Sequence, residues 1–255
     1  MILRLEDVTL SYGLLKAVDG VSLSVAQGAR HALIGPNGAG KSSLFSVVAG
    51  TLAVTSGRIE FDGADVTGLS EPARAARGLV RTYQHSSLFL RCGVLDNVRL
   101  AVERVHGHPL RPFRRRRRDA AITEQAYAHL AAVGLASRAA EPAGALSHGE
   151  RRQLEVAVVL ACEPSLVLFD EPTAGMSVAE TDRFAALVEE LPASLSVVIV
   201  EHDLDIAFRL ARDVTVLAAG RVIASGPPEA IRADEQVQRA YLGTESTDDL
   251  FTEPR

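Results

Sequence analysis

The sequence is poor in cysteine: Cys92 and Cys162 are the only two among 255 residues. Their wide separation supports neither a disulfide framework nor a metal cluster. Lysine is equally scarce, limited to Lys16 and Lys41, so arginine is the default cation of this chain. No stretch approaches the ~18 uninterrupted apolar residues that a membrane-spanning helix requires. The longest apolar runs, 156–162 and 166–169, read as buried core. The start, MILRLEDVTL, lacks the charged region and apolar core of a secretory signal. A cytoplasmic chain is therefore expected, one that meets a membrane only through a partner. Basic charge is not in excess either, with 27 Lys and Arg against 32 Asp and Glu and a formal net charge of −5. Together with 47% hydrophobic and 23% charged residues, this excludes a disordered chain, a collagen and a bulk-basic nucleic-acid binder. A chain of this length buries roughly 70–75% of its unfolded surface and needs no covalent or metal staple.

What is present has a clear order. Alternating polarity over 2–8 and 21–25 predicts half-buried strands. Residues 58–61, the Asp62-Gly63 pair and the segment after it predict a hairpin, because Asp-Gly supplies the positive φ of a tight turn. Residues 32–34 form a short apolar strand, followed by a glycine-rich turn and a helical pattern over 42–49. From about 88 to 161 the pattern turns helical, with Asp119 as an expected N-cap, Ile122, Ala126, Leu130 and Val133 at helical spacing, and Gly134 at the C-terminal cap. After 166, apolar runs of four (166–169 and 197–200) alternate with helical segments near 178–191 and 204–211. That alternation predicts an α/β parallel sheet covered on both faces. The polar tail 244–255 is expected to fray.

The segment Gly35-Pro36-Asn37-Gly38-Ala39-Gly40-Lys41-Ser42 matches GxxxxGK[ST] in full, and it lies between an apolar strand and a helix as the motif requires. Glycines let backbone N–H groups turn towards phosphate oxygens, and the helix N-terminus adds a favourable dipole. Lys41 can reach the β- and γ-phosphates, and the Ser42 hydroxyl can ligate magnesium. Asp170-Glu171 closes the second apolar strand, where an acid points into the ligand crevice of an open α/β sheet. Asp170 is expected to hold magnesium and Glu171 to polarise an attacking water. His202 closes the third apolar run, placed to donate a hydrogen bond to a transferring phosphoryl group.

These motifs, in this order, resemble those of the ATP-binding subunit of ABC transporters over nearly the whole chain. By that resemblance Tyr12, in LSYG, stacks on adenine, and Ser43 joins the phosphate loop in cofactor binding. Gln84, in RTYQ, is similar to the glutamine that approaches magnesium and the lytic water. Leu146-Ser147-His148-Gly149-Glu150 looks like the family's signature sequence, here LSHGE in place of LSGGQ, and it also fits a capping box at a helix start. The resemblance implies that Ser147 and Gly149 contact ATP held by a partner subunit in a head-to-tail dimer. The D-loop would span 174–177, with Ser177 where Asp or Asn is common, a departure that puts cross-dimer communication in question.

The fold implied is an α/β P-loop ATPase core with a mostly parallel sheet, an N-terminal antiparallel β subdomain and an inserted helical subdomain. The expected divisions are 1–87 for the core with the phosphate loop, 88–161 for the helical subdomain, 162–243 for the remaining core and 244–255 for the tail. The expected reaction is hydrolysis of ATP with Mg2+. Catalytic roles fall to Glu171, His202, Gln84 and Lys41, and metal contacts to Ser42, Gln84 and Asp170. RTYQHSSLF, the long phrase from 200 to 231 and the terminal AYLG resemble ATPases of branched-chain amino-acid, amide or urea importers. That implies membrane permease partners, a second ATPase subunit, indirectly an extracytoplasmic solute-binding protein, and a place at the cytoplasmic face of the membrane. The alternatives are a lipopolysaccharide-export ATPase and a soluble member that switches cytosolic partners. Arg111 and Arg114 to Arg118 invite a nucleic-acid reading, but the chain is acidic and carries no base-reading module, so a solvated connection is expected. His31, His85, His106, His108 and His129 show no ligand spacing and are expected to be structural or exposed.

Overall fold

A computed structural model describes residues 1–82, 88–106 and 115–242. The chain forms two compact units, the first comprising Met1–Arg81, Ser165–Pro172 and Leu191–Arg255, the second Thr82–Pro164 and Thr173–Glu190.

In the first unit, β1 (Leu3–Tyr12) pairs antiparallel with β2 (Leu15–Val25) and with β4 (Ser56–Phe61), which turns into the short β5 (Ala64–Asp65). The β4–β5 turn is built by Asp62 and Gly63, both at positive φ (48° and 73°), the conformation that a two-residue hairpin demands. A second, six-stranded sheet has the order β10-β9-β3-β8-β7-β6. Its members are β3 (Arg30–Ile34), β6 (Leu79–Arg81), β7 (Leu166–Asp170), β8 (Ser196–Val200), β9 (Asp213–Ala218) and β10 (Arg221–Gly226). All of its pairings are parallel except β9 with β10. Strands β7 and β8 are buried at every position, which is why their sequences read as unbroken apolar runs rather than alternations.

Helix α1 (Lys41–Ala49) lies in the core between the two sheets. Its Leu44, Phe45, Val47 and Val48 pack with Leu5 and Val21 of one sheet and Leu168 and Val198 of the other. The opposite face of the six-stranded sheet is covered by α7 (Leu204–Leu210), α8 (Pro228–Ala233) and α9 (Glu235–Leu242), through Phe208, Ile231, Val237 and Tyr241. The C-terminal end of α1 is closed by Arg74 of α2 (Glu71–Ala75), a side chain that composition gives no reason to place inside. The residue is 1% exposed, and its guanidinium donates to the carbonyls of Val47 (2.6 Å), Val48 (2.7 Å), Leu69 (3.0 Å) and Thr67 (3.0 Å). Val47 and Val48 are in the last turn of α1, whose carbonyls a helix end otherwise leaves without partners, and Thr67 and Leu69 lie in the segment between β5 and α2.

The second unit is helical. It contains α3 (Val94–His106), α4 (Arg115–Ala132), α5 (His148–Leu160) and α6 (Val178–Glu189). Helix α4 begins at Arg115, four residues before the expected N-cap Asp119. Arginine is a strong helix former, and Asp119 does not interrupt the pattern. Gly134 does close this helix region, with φ 77° and its N–H on the carbonyl of Ala131.

Candidate active site

Strand β8 lies between β3 and β7 in parallel register. The loops leaving the carboxyl ends of these three strands are therefore neighbours, and they carry the phosphate loop, the Asp170-Glu171 pair and His202. This is the crevice where open α/β sheets bind ligands.

The phosphate loop is fixed by close backbone approach. A Cβ at Gly35 would lie 2.1 Å from the carbonyl oxygen of Leu217, and one at Gly40 (φ 102°) would lie 2.3 Å from that of Ala17. Gly40 is the N-cap of α1 and offers no side-chain cap, and the first turn of α1 holds no acidic residue. The free N–H groups of Ser42 and Ser43 stand where a helix dipole favours an anion. Lys41 occupies the first helical position and is 6% exposed. Its Nζ donates to the carbonyls of Gly35 (2.5 Å) and Pro36 (3.1 Å). Burial pushes its pKa down, while the carboxylates of Glu171 and Asp170 pull it back up. A cation at a helix N-terminus is of the wrong sign for the dipole, and burial adds to the cost. Both are offset by an anion of the size of a phosphate.

Asp170 ends β7 with one carboxylate oxygen, Oδ2, accepting from Arg81 Nη2 at 2.6 Å. Its other oxygen, Oδ1, is buried without a hydrogen-bond partner. Glu171 follows at φ 45°, a left-handed conformation rare for a residue with a Cβ, held by its N–H on the carbonyl of Val200 at 2.9 Å. Strain of about 1–3 kcal/mol at such a position persists only where the surroundings impose it. His202 leaves β8 half exposed, with Nδ1 3.7 Å from the Glu201 carboxylate, and Asp203 next to it caps α7 by accepting from the N–H groups of Asp205 and Ile206. Tyr12 ends β1 and is 53% exposed.

Ser147 and Gly149 belong to the second unit. Ser147 is the N-cap of α5, with its hydroxyl on the Glu150 N–H (3.2 Å) and its own N–H on the Glu150 carboxylate (2.8 Å), a reciprocal capping box. The N–H of Gly149 donates to Oε1 of Glu180 at 3.2 Å. Glu180 in turn holds the N–H (3.0 Å) and hydroxyl (2.8 Å) of Ser177, and these contacts lower its pKa. The carboxylate thus ties the start of α5 to the start of α6. Sequence reasoning passed over Glu180, although Ser177-x-x-Glu180 carries the same capping-box spacing as Ser147-x-x-Glu150. Gln84 lies outside the described residues, as do His85 and His108. His31 is buried on Thr215 (2.9 Å) and burial pushes its pKa down to about 4; His106 pairs with Glu163 at 3.0 Å.

Residues 18–174 match the family model for ABC transporter, and residues 221–247 match that for branched-chain amino acid ATP-binding cassette transporter. The chain belongs to the ABC transporter family, as the ATPase of a transporter. Among its relatives, the high-affinity branched-chain amino acid transport ATP-binding protein BraF of Pseudomonas aeruginosa is 36% identical, over 95% of this chain and 98% of its own length. The lipopolysaccharide export system ATP-binding protein LptB of Haemophilus influenzae is 35% identical, over 95% and 97%. The crystal structure of the ADP conformation of MJ1267, an ATP-binding cassette of an ABC transporter, matches with a TM-score of 0.82 at 30% identity, covering 95% of this chain and 98% of that one.

Proposed function

We propose that this ATPase powers uptake of branched-chain amino acids or related small amides, working with membrane permease subunits and a second ATPase subunit. The observation that carries the reading is the match of 221–247 to the branched-chain transporter family, alongside near full-length similarity to BraF. Among the described residues no helix is long and apolar enough to cross a membrane, so the reading places the chain on the cytoplasmic face through its permeases, with a solute-binding protein as an indirect partner. A second reading, lipopolysaccharide export, is favoured by the similarity to LptB.

In the proposed reaction, the loop from Gly35 to Ser43 binds the phosphates of ATP, and Lys41 neutralises their charge. Tyr12 stacks on adenine. The residues present suit magnesium, a hard cation held by few carboxylates plus substrate phosphates. The Ser42 hydroxyl at the start of α1 and the unpartnered buried Oδ1 of Asp170 would hold it, with Gln84 a further contact. When bound, magnesium neutralises charge on the phosphate oxygens. Glu171 takes the proton of the attacking water, and His202 donates to the γ-phosphoryl oxygens. Ser147 and Gly149 contact the nucleotide held by the partner subunit.

The test is a pull-down of the tagged Glu171→Gln chain with ATP from its native host in mild detergent, followed by leucine and amide uptake in a deletion strain. Two multi-spanning permeases and lost uptake are expected. Co-purification of lipopolysaccharide-export membrane proteins would favour the second reading. Recovery of cytosolic chains alone would overturn both.

A further inference from the structure

The buried ion pair beneath Asp170 has a second end. Arg81 is the last residue of β6, and its side chain and that of Asp170 are 8% and 5% exposed. While Nη2 holds Asp170 Oδ2, Nη1 donates to the hydroxyl of Ser46 at 3.1 Å. The Ser46 hydroxyl in turn donates to the backbone carbonyl of Ser42 at 2.7 Å. One guanidinium therefore spans from the acid at the end of β7 to the helical turn that presents the Ser42 hydroxyl. A planar fork with two parallel donors suits this better than any other side chain.

We propose that Arg81 is a positioning residue for the metal site: it fixes the two metal-facing side chains, Asp170 and Ser42, relative to each other. The inference rests on the reading of Asp170 and Ser42 given above. By occupying Oδ2, Arg81 sets the carboxylate rotamer and leaves Oδ1 as the oxygen without a partner. Through Ser46 it fixes the first turn of α1. Partners of this kind orient the groups that touch a cation, and their loss typically costs about 10–100-fold in metal affinity.

The experiment measures ATP affinity by calorimetry in EDTA and with Mn2+, in the full chain carrying Glu171→Gln so that ATP is not consumed, with bound Mn2+ followed by electron paramagnetic resonance. The readout is the ratio of the two dissociation constants. Arg81→Gln should lower the metal-dependent gain about tenfold or more, while affinity in EDTA stays within about twofold. Arg81→Lys, which keeps a donor to Oδ2, should recover part of the gain. Ser46→Ala leaves the ion pair intact and removes only the link to α1, so it tests the bridge even if Arg81→Gln fails to fold; a severalfold loss is expected. In an Asp170→Asn background, Arg81→Gln should cause no more than the severalfold further loss that Ser46→Ala causes on its own. An unchanged ratio in both Arg81→Gln and Ser46→Ala, or equal losses with and without metal, would overturn the proposal by leaving Arg81 only a structural role. If Asp170→Asn itself leaves the ratio intact, the assignment of Asp170 fails instead.

Discussion

A lysine at the first position of a helix and a histidine inside a sheet are both expensive residues, and the two costs have different purposes. Lys41 sits against the dipole of α1 and is held by the loop carbonyls of Gly35 and Pro36. Under the proposed function its use is in binding. Lys41→Met should melt within a few degrees of the parent chain, yet lose the stabilisation by ATP. At a hundredfold excess over Kd the parent should gain about 2.7 kcal/mol, and thermal melts with and without ATP read this directly. His31 is buried on Thr215, and burial lowers its pKa from 6.5 to about 4, with Asp213 pulling weakly the other way. Because the folded value lies below the unfolded one, the unfolded chain binds the extra proton between pH 6.5 and 4. The neutral ring's contribution is complete above pH 6.5 and is lost as pH falls towards 4, an upper limit of about 3 kcal/mol. His31→Gln should flatten this part of the acid limb in urea unfolding measured from pH 7 to 4.5. An unchanged slope would assign the acid sensitivity to other groups.

Helix starts carry much of the local logic in the second unit. Gly149 is confined by Glu180: a Cβ there would lie 2.6 Å from Oε1. Gly149→Ala should therefore destabilise the chain, and Glu180→Ala should relieve it. A double-mutant cycle by chemical denaturation should show a coupling of about 1 kcal/mol or more. Additive effects would mean that the Glu180 side chain simply moves aside. What was legible at this scale followed from local chemistry. The phosphate loop, the Asp62-Gly63 turn and the buried runs of β7 and β8 all declare themselves through residue type and period, and the α/β core follows from them, whereas the antiparallel sheet as a separate subdomain is what the family resemblance implies. The start of α4 is not legible, because Asp119 is a good cap residue that the helix passes through. Glu180 against Gly149, Arg81 against Asp170 and Arg74 against α1 were not legible, because each joins residues 26 to 89 positions apart. No periodicity marks a single charged side chain that turns inward.

At the scale of the whole chain, the first unit hangs on α1, which is packed between two sheets, with its N-terminal end at the phosphate loop and its C-terminal end on Arg74. Arg74→Met would leave buried carbonyls without donors, at about 1–3 kcal/mol for each one left unsatisfied. Urea unfolding should show a loss of about 3 kcal/mol or more, far above that for an exposed arginine such as Arg58. In the proposed function, chemistry occurs where β3, β7 and β8 end, with Glu171 as the base. The most direct test is to measure ATP binding and steady-state phosphate release on the same preparations of parent and Glu171→Gln chains. With Glu171 as the base, binding should stay within a fewfold of the parent and turnover should fall by about 100-fold or more. Near-normal phosphate release by Glu171→Gln would contradict it and move the base elsewhere.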